Sequence, residues 1–377
     1  MHGSIVRLGT WLPFERVPMV LGHFTRVPVS AETARRLTEQ AGAALEAAET
    51  AAVEALEAAN RLPAAPRERL QVSVDGAMVP LVHRTWAEVK TLAVGTVRAG
   101  AHTTALSYFS RLAEADAFRR LAWVETQRRG VPAAADVCGV VDGADWCQHF
   151  FDWHCPDAVR ILDFPHAAEY VSNAGRSVLG AETAALTAWL DQQLTELKHG
   201  DPDQVLATLR ALPAVRLASP DGEQCPRDIA VSYLTKRRAQ IAYATFQAQG
   251  YPIGSGIVES ANKLVVEARL KGSGMHWARP NVNPLLALRG AACSDRWDAA
   301  WATLTQQRRH ERASARARRA VARHPAPPPT AAPRARPDRL PTRPRRGTMH
   351  NGRPTPAHAW RRDGLRRAAP ATLSAKT

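Results

Sequence analysis

The chain has little of what would tie it to a secreted or membrane setting. Its 377 residues include five cysteines (Cys138, Cys147, Cys155, Cys225 and Cys293), and no two of them form a C-x-x-C pair. A disulfide framework is therefore not expected, and a reducing cytoplasm suits the composition. No apolar run approaches the length of about 18 residues that a membrane-spanning helix needs. The first residues, MHGSIVRLGTWLPFERV, lack the continuous apolar stretch of a secretory signal. Aromatic residues make up 6% and hydrophobic residues 45% of the chain, an alanine-heavy but globular composition, and the length allows two or three domains. Evenly spread charge is also lacking. The net charge is +15, yet from Glu311 to Thr377 there are 17 arginines and lysines against 3 acids, so everything before is close to neutral. Binding of nucleic acid by the folded part must then rest on local patches rather than on overall charge.

Residues 1–62 read as helical. Ser30 is placed to cap a helix through AETARRLTEQAG, Gly42 to break or kink it, and Ala43 to Asn60 to form a longer alanine-rich helix. A helix pair carrying Arg35 and Arg36 is either a DNA-reading helix-turn-helix or a small structural bundle. LPAAPRER, residues 62–69, is a proline-punctuated linker. The pattern then changes. QVSVDGAMVPLV alternates as a strand and WAEVKTLAVGTV reads as its partner. A helix is expected from about Ser107 to Arg129. DVCGVVDGADW is apolar on both faces, as in a central strand, and VRILDFPHAAEY reads as a strand running into a helix. Strands followed by helices suggest an α/β fold with a mixed sheet over residues 70–179. Residues 180–250 read as an all-helical insertion. Residues 251–305 resume the core as a helix, with the folded part ending soon after CSDRWDAAW. The Arg-, Pro- and Ala-rich tail, residues 311–377, has too few apolar residues to offset chain entropy. It is expected to be disordered, either as a basic arm that grips phosphates or as the product of a frame change in GC-rich DNA. No internal repeat is evident.

Three acids stand out by context. Asp75 ends the alternating run V-S-V-D-G, and Asp142 ends V-V-D-G-A-D-W; either could face a cleft or simply sit in an Asp-Gly turn. Glu259 follows G-S-G-I-V on a helix, sharing a face with Asn262 and Lys263. Asp145 and Glu267 compete for the second and third places. Two strand-end aspartates and one helical glutamate would suit two Mg²⁺ (or Mn²⁺) ions over a phosphodiester, since hard cations take oxygen ligands and substrate and water complete the shell. Lys263, Arg269, Lys271, His276 and Arg279 could hold phosphates beside them, or form an ordinary charged surface. Asp163 and His166, in I-L-D-F-P-H, could approach the same cleft or make a structural hydrogen bond. Cys147, His149, His154 and Cys155 lie close together, but match no common zinc spacing. Trp189 reads as a core residue before it reads as a platform for a flipped base.

At this point the chain resembles bacterial insertion-sequence transposases of the Mutator-like group, nearest to the ISKra type. The resemblance is carried by VSVDGAMVPLV, WAEVKTLAVG, VVDGADWCQHFF, ILDFPHAAEY and IGSGIVESANKLVVEARLKGSGMHWAR, followed by NPLLALR and CSDRW. It implies an RNase H-like fold interrupted by an all-helical insertion, and a DDE triad of Asp75, Asp142 and Glu259. It matches Asp163 and His166 to the group's motif of Cys or Asp, two residues, then His. It also favours a helix-turn-helix that binds terminal inverted repeats, with target DNA as the second partner and at least two subunits to pair two element ends. Members of the group usually carry more N-terminal sequence, often with zinc-binding cysteines; here no cysteine precedes Cys138. The alternatives are a shortened non-catalytic copy that still binds repeats, and an RNase H-like nuclease with another cellular role.

Overall fold

The alternating stretch from Leu70 becomes the first strand of a five-stranded mixed sheet. β1 (Leu70–Leu81), β2 (Thr85–Arg98) and β3 (His102–Arg111) form an antiparallel meander, and β4 (Val137–Val141) and β5 (Val159–Leu162) add in parallel beside β1. The strand order is β3-β2-β1-β4-β5. The computed structural model describes residues 1–59, 64–66, 68–220, 222–323, 349–350 and 353–354. β4 is buried along its whole length, as its two-faced apolar pattern requires. β3 lies partly where a helix was expected from Ser107. Its Thr103, Thr104, Tyr108 and Phe109 suit a pleated surface and pair with β2, and the helix α4 starts only at Ala115, ending at Arg128.

The sheet is covered on both faces, and the alternation along β1 assigns each residue to one of them. Leu70, Val72 and Val74 pack with Phe118 of α4 and with Phe150 of α5 (Asp145–His154). Ala77, Val79 and Leu81 pack on the opposite side, against the segment that carries Glu259. Asp75 belongs to that second face. Residues 180–250 pack against β4, β5 and α6 (Phe164–Leu179) through α7 (Ala184–His199), α8 (Pro202–Ala211), α9 (Pro226–Lys236) and α10 (Tyr243–Ala248). This insertion is not all-helical, because Leu217–Ser219 and Gly222–Gln224 form a small antiparallel hairpin. Trp189 packs against Gly175 of α6, the core placement that its helix favoured.

The N-terminal helices are α1 (His2–Trp11), α2 (Val17–Thr25) and α3 (Ala31–Ala59). Ser30 Oγ accepts the Thr33 N–H at 3.1 Å, the expected cap of α3. Gly42 does not break α3. It lets the helix approach α13 (Arg279–Cys293) so closely that a Cβ would lie 2.2 Å from the Pro284 carbonyl oxygen. Val6, Ala41, Leu45, Leu288 and Leu304 share one apolar cluster, so the N-terminal helices belong to the same compact unit as the sheet, Met1–Ala313.

The last long helix, α14, runs from Trp297 to Arg323, past residue 311 where order was expected to stop. Alanine and arginine are strong helix formers, and the prolines begin only at Pro325. A second unit covers Ser314–Thr377, and its described strands are Met349–His350 and Arg353–Pro354. Apart from these, the expectation of disorder after Arg323 concerns residues outside those described, as does part of the linker at 62–69. Among the described residues, no helix is long and apolar enough to cross a membrane.

Candidate functional site

β1 and β4 are paired only from Leu70–Val72 against Val137–Gly139. The register that sets Leu70 against Val137 would, carried on, set Asp75 against Asp142. Asp75 thus sits within β1 rather than at its end, still paired to Thr91 of β2 on its other side. Asp142 follows the last residue of β4. The gap opened where the two strands part is bordered by both aspartates. Glu259 comes from above that face, on α11 (Gly256–Ala261), which continues through a π-helical stretch (Asn262–Glu267) into α12 (Ala268–Leu270).

Each carboxylate is held by short-range donors. Asp75 Oδ1 accepts the Gly76 N–H at 2.7 Å, and its Oδ2 accepts from Asn262 Nδ2 at 2.8 Å. Asp142 Oδ1 accepts from the Ala144 N–H at 2.9 Å and from the Cys147 thiol at 3.4 Å. Glu259 Oε1 accepts from Ser255 Oγ at 3.2 Å. Asp163 is the hub behind Glu259. Its Oδ2 caps α6 by accepting the His166 N–H at 3.2 Å, and its Oδ1 accepts the Ser255 N–H at 2.6 Å.

Electrostatics link the set. Burial raises the Asp75 pKa above the ordinary carboxylate value, and the charges of Asp142 and Glu259 push it the same way, against the bonds from Gly76 and Asn262. Burial, reinforced by Glu259, likewise raises Asp163, against bonds from Ser255 and His166. None of the four acids has an ion-pair partner among the described residues. The rivals do: Asp145 pairs with Lys236 at 3.3 Å and Glu267 with Lys271 at 2.7 Å. As placed, no group of three His, Cys, Asp or Glu side chains among the described residues is arranged to hold a metal ion. The donor chemistry of Asp75, Asp142 and Glu259 nevertheless fits a hard divalent cation, since it is all-oxygen and none of the three has an ion-pair partner among the described residues.

The loop after Asp142 is clamped by the insertion. The Tyr233 hydroxyl donates to the Asp142 carbonyl, and Arg237 Nε donates to the Gly143 carbonyl at 3.1 Å. Gly143 has φ of 84°, and a Cβ there would meet Arg237 Nε at 2.5 Å and the Tyr233 hydroxyl at 2.6 Å, so only glycine fits. Tyr233 stacks on Tyr170 with centroids 4.0 Å apart, and the His166 ring stands edge-on to both. Asp142, His166, Tyr170, Tyr233 and Arg237 line one open cavity.

The proposed DNA contacts divide. Arg36, Lys263, His276 and Arg279 are exposed. Arg35 is tied to Glu32 and Glu39, each at 2.7 Å, and Lys271 to Glu267, so their charges are already compensated. Arg269 is a correction. It is 2% exposed, lies over the rings of Phe14 and Trp277, and donates to the Gly9 carbonyl, which pins α1 to the core instead of reaching a phosphate. The suspected zinc cluster does not converge. Cys147 and Cys155 are buried thiols with raised pKa, and His154 is bonded elsewhere. Sequence reasoning missed Ser255, Tyr233 and Arg237, and gave Asn262 no role. The helical spacing of Ser255, Glu259 and Asn262 was the available signal for two of them.

No protein-family model matches the chain. No curated protein matches it either.

Proposed function

We propose that the chain is a DDE transposase built on an RNase H-like fold, which binds the terminal inverted repeats of its element, cleaves DNA at the ends and joins them to target DNA. What supports this reading is that Asp75 on β1 and Asp142 just past β4 border the gap where the two strands part, while Glu259 sits on the helix packed over the same face, with the charges of the other two acting on Asp75. The strand order, with three antiparallel strands followed by two parallel ones, supports the RNase H-like assignment. Bound between these acids, Mg²⁺ or Mn²⁺ would supply activation of a water or a 3′-hydroxyl and stabilisation of the leaving oxygen. The chain's own part is to hold three carboxylates at the gap. The Ala144 N–H and Cys147 thiol aim Asp142, Asp163 fixes Ser255 against Glu259, and Tyr233 and Arg237 lock the loop after Asp142. Arg36, Lys263, His276 and Arg279 are left free to hold phosphates. Two element ends require at least two copies of the chain acting together.

The test is Mg²⁺-dependent cleavage of DNA carrying the inverted repeats that flank the gene, comparing the wild-type chain with Asp142→Ala. Cleavage at repeat ends that falls at least about 10³-fold in the variant is expected, as for loss of a group acting on the transition state. Binding without cleavage would point instead to a non-catalytic repeat-binding copy. Cleavage of branched or generic DNA without preference for the ends would point to a cellular nuclease. Cleavage that survives the substitution would remove Asp142 from the site.

A further inference from the structure

We propose that Asn262 is a positioning residue for Asp75, a clamp that ties the strand-borne carboxylate to the helix that carries Glu259. The inference rests on the metal-site reading above and adds to it a residue outside the triad. Asn262 lies three residues beyond Glu259, one helical turn on, and opens the π-helical stretch. Such local widening of a helix is frequent where a side chain must be re-aimed at a functional site. The residue is 6% exposed, and Nδ2 donates to Asp75 Oδ2 at 2.8 Å. A carboxylate only accepts, so the amide must present its nitrogen to Asp75. The amide oxygen is then turned elsewhere, and it is buried without a partner among the described residues. A buried acceptor left unmet is costly, so the position is poorly explained by packing and well explained by the one bond it makes.

The chemistry favours this residue type. Asp75 is half-buried beside two like charges, and a neutral donor steadies it without neutralising it. A lysine or arginine at 262 would form an ion pair and compete with a cation for the carboxylate. An aspartate would repel it. With the Gly76 N–H on Oδ1 and Asn262 on Oδ2, both oxygens of Asp75 are oriented, one from its own strand and one from the Glu259 helix. Ser255 and Asn262 thus bracket Glu259, the first bonded to Glu259 and the second to Asp75, so two of the three acids are tied to the same segment.

The test uses thermal melting of the full chain, without divalent ions and with Mn²⁺, for wild type, Asn262→Asp, Asp75→Asn and the double variant. Without metal, Asn262→Asp is expected to lower the midpoint by about 3 °C or more, because a buried carboxylate then faces the half-buried one of Asp75. In the Asp75→Asn background the same substitution should cost less than about 1 °C, since the donor and acceptor have only exchanged places. Mn²⁺ should raise the Asn262→Asp midpoint more than the wild-type one, because a cation between the two carboxylates replaces the lost bond. A structural role away from the metal would not give that restoration. A midpoint unchanged in Asn262→Asp, or equal losses in both backgrounds, would overturn the clamp. If Mn²⁺ shifts none of the four proteins, the metal reading of the site falls, while the metal-free melts still decide whether Asn262 holds Asp75.

Discussion

His154 carries a pH dependence that its neighbours dictate. It is 3% exposed, with its ring 4.2 Å from that of Phe150 and edge-on to Trp153. Nε2 lies 2.9 Å from the Arg119 carbonyl, which only accepts, so that nitrogen keeps the proton, and Nδ1 faces the Thr126 hydroxyl at 3.1 Å. Burial pushes the pKa from 6.5 down to about 3. The unfolded chain therefore takes up a proton below about pH 6.5 that the folded chain refuses until about pH 3. Stability from this group is complete above pH 6.5 and is lost progressively as pH falls towards 3. Between pH 7 and pH 4.5 the loss should be about 2–3 kcal/mol, read as the difference in pH dependence of the melting midpoint between wild type and His154→Gln. Equal dependence in the two proteins would mean that His154 is not buried neutral. The residue scale also shows what a sequence conceals. Asp75 and Asp142 stood out because each precedes a glycine after an apolar run, and Glu259 because it follows the glycine-rich entry G-S-G-I-V. Nothing local distinguished Arg269, a basic residue on a basic-looking helix, from Lys263, yet one is under two aromatic rings and the other is exposed. Burial of that kind is decided by a helix more than 250 positions earlier in the chain.

At the level of elements, α3 and α13 make the prediction that runs against propensity. Gly42 is interior to α3, where alanine would ordinarily stabilise by about 1 kcal/mol. Here its Cβ would lie 2.2 Å from the Pro284 carbonyl oxygen and 2.5 Å from the carbonyl carbon, both backbone atoms that cannot rotate away. Gly42→Ala should therefore destabilise by about 1–3 kcal/mol, visible as a lower midpoint in thermal or urea unfolding. A gain in stability would show that the two helices are not packed at this distance. The same glycine explains a misreading, since a glycine within a helical pattern marks either a break or a close approach, and only the partner helix tells which. Strands β1, β2, β4 and β5 were legible from alternation or from continuous apolar runs. β3 was not, because Ala105, Leu106, Tyr108 and Phe109 also fit a helical face, and its pairing to β2 is what settles the matter. The helical character of residues 180–250 was legible, whereas the short hairpin inside it, with three residues to a strand, leaves too little periodicity to read.

For the whole molecule, composition located the charge correctly but placed the end of regular structure too early. Proline marks where a helix must stop, and an arginine-rich stretch without proline can continue as α14 does. The consequence concerns DNA. The residues up to Glu311 are nearly neutral, Arg35 and Lys271 are already paired, and Arg269 is buried, so the folded part offers few free cations near the acids. On the proposed reading, most of the grip on phosphate would then come from the arginine-rich C-terminal region, with salt dependence rather than sequence preference as its signature. A chain ending at Arg323 should keep the melting midpoint of the full chain, because the apolar clusters of the described residues lie before that residue. Its affinity for duplex DNA should fall, and log affinity against log salt should flatten by about 0.9 for each phosphate contact removed. Any preference for repeat ends over random duplex should remain, since the resemblance to Mutator-group transposases gives repeat recognition to the N-terminal helices. A salt slope equal to that of the full chain would instead place the phosphate contacts on Lys263, His276 and Arg279 beside the acids, and make the C-terminal region irrelevant to DNA.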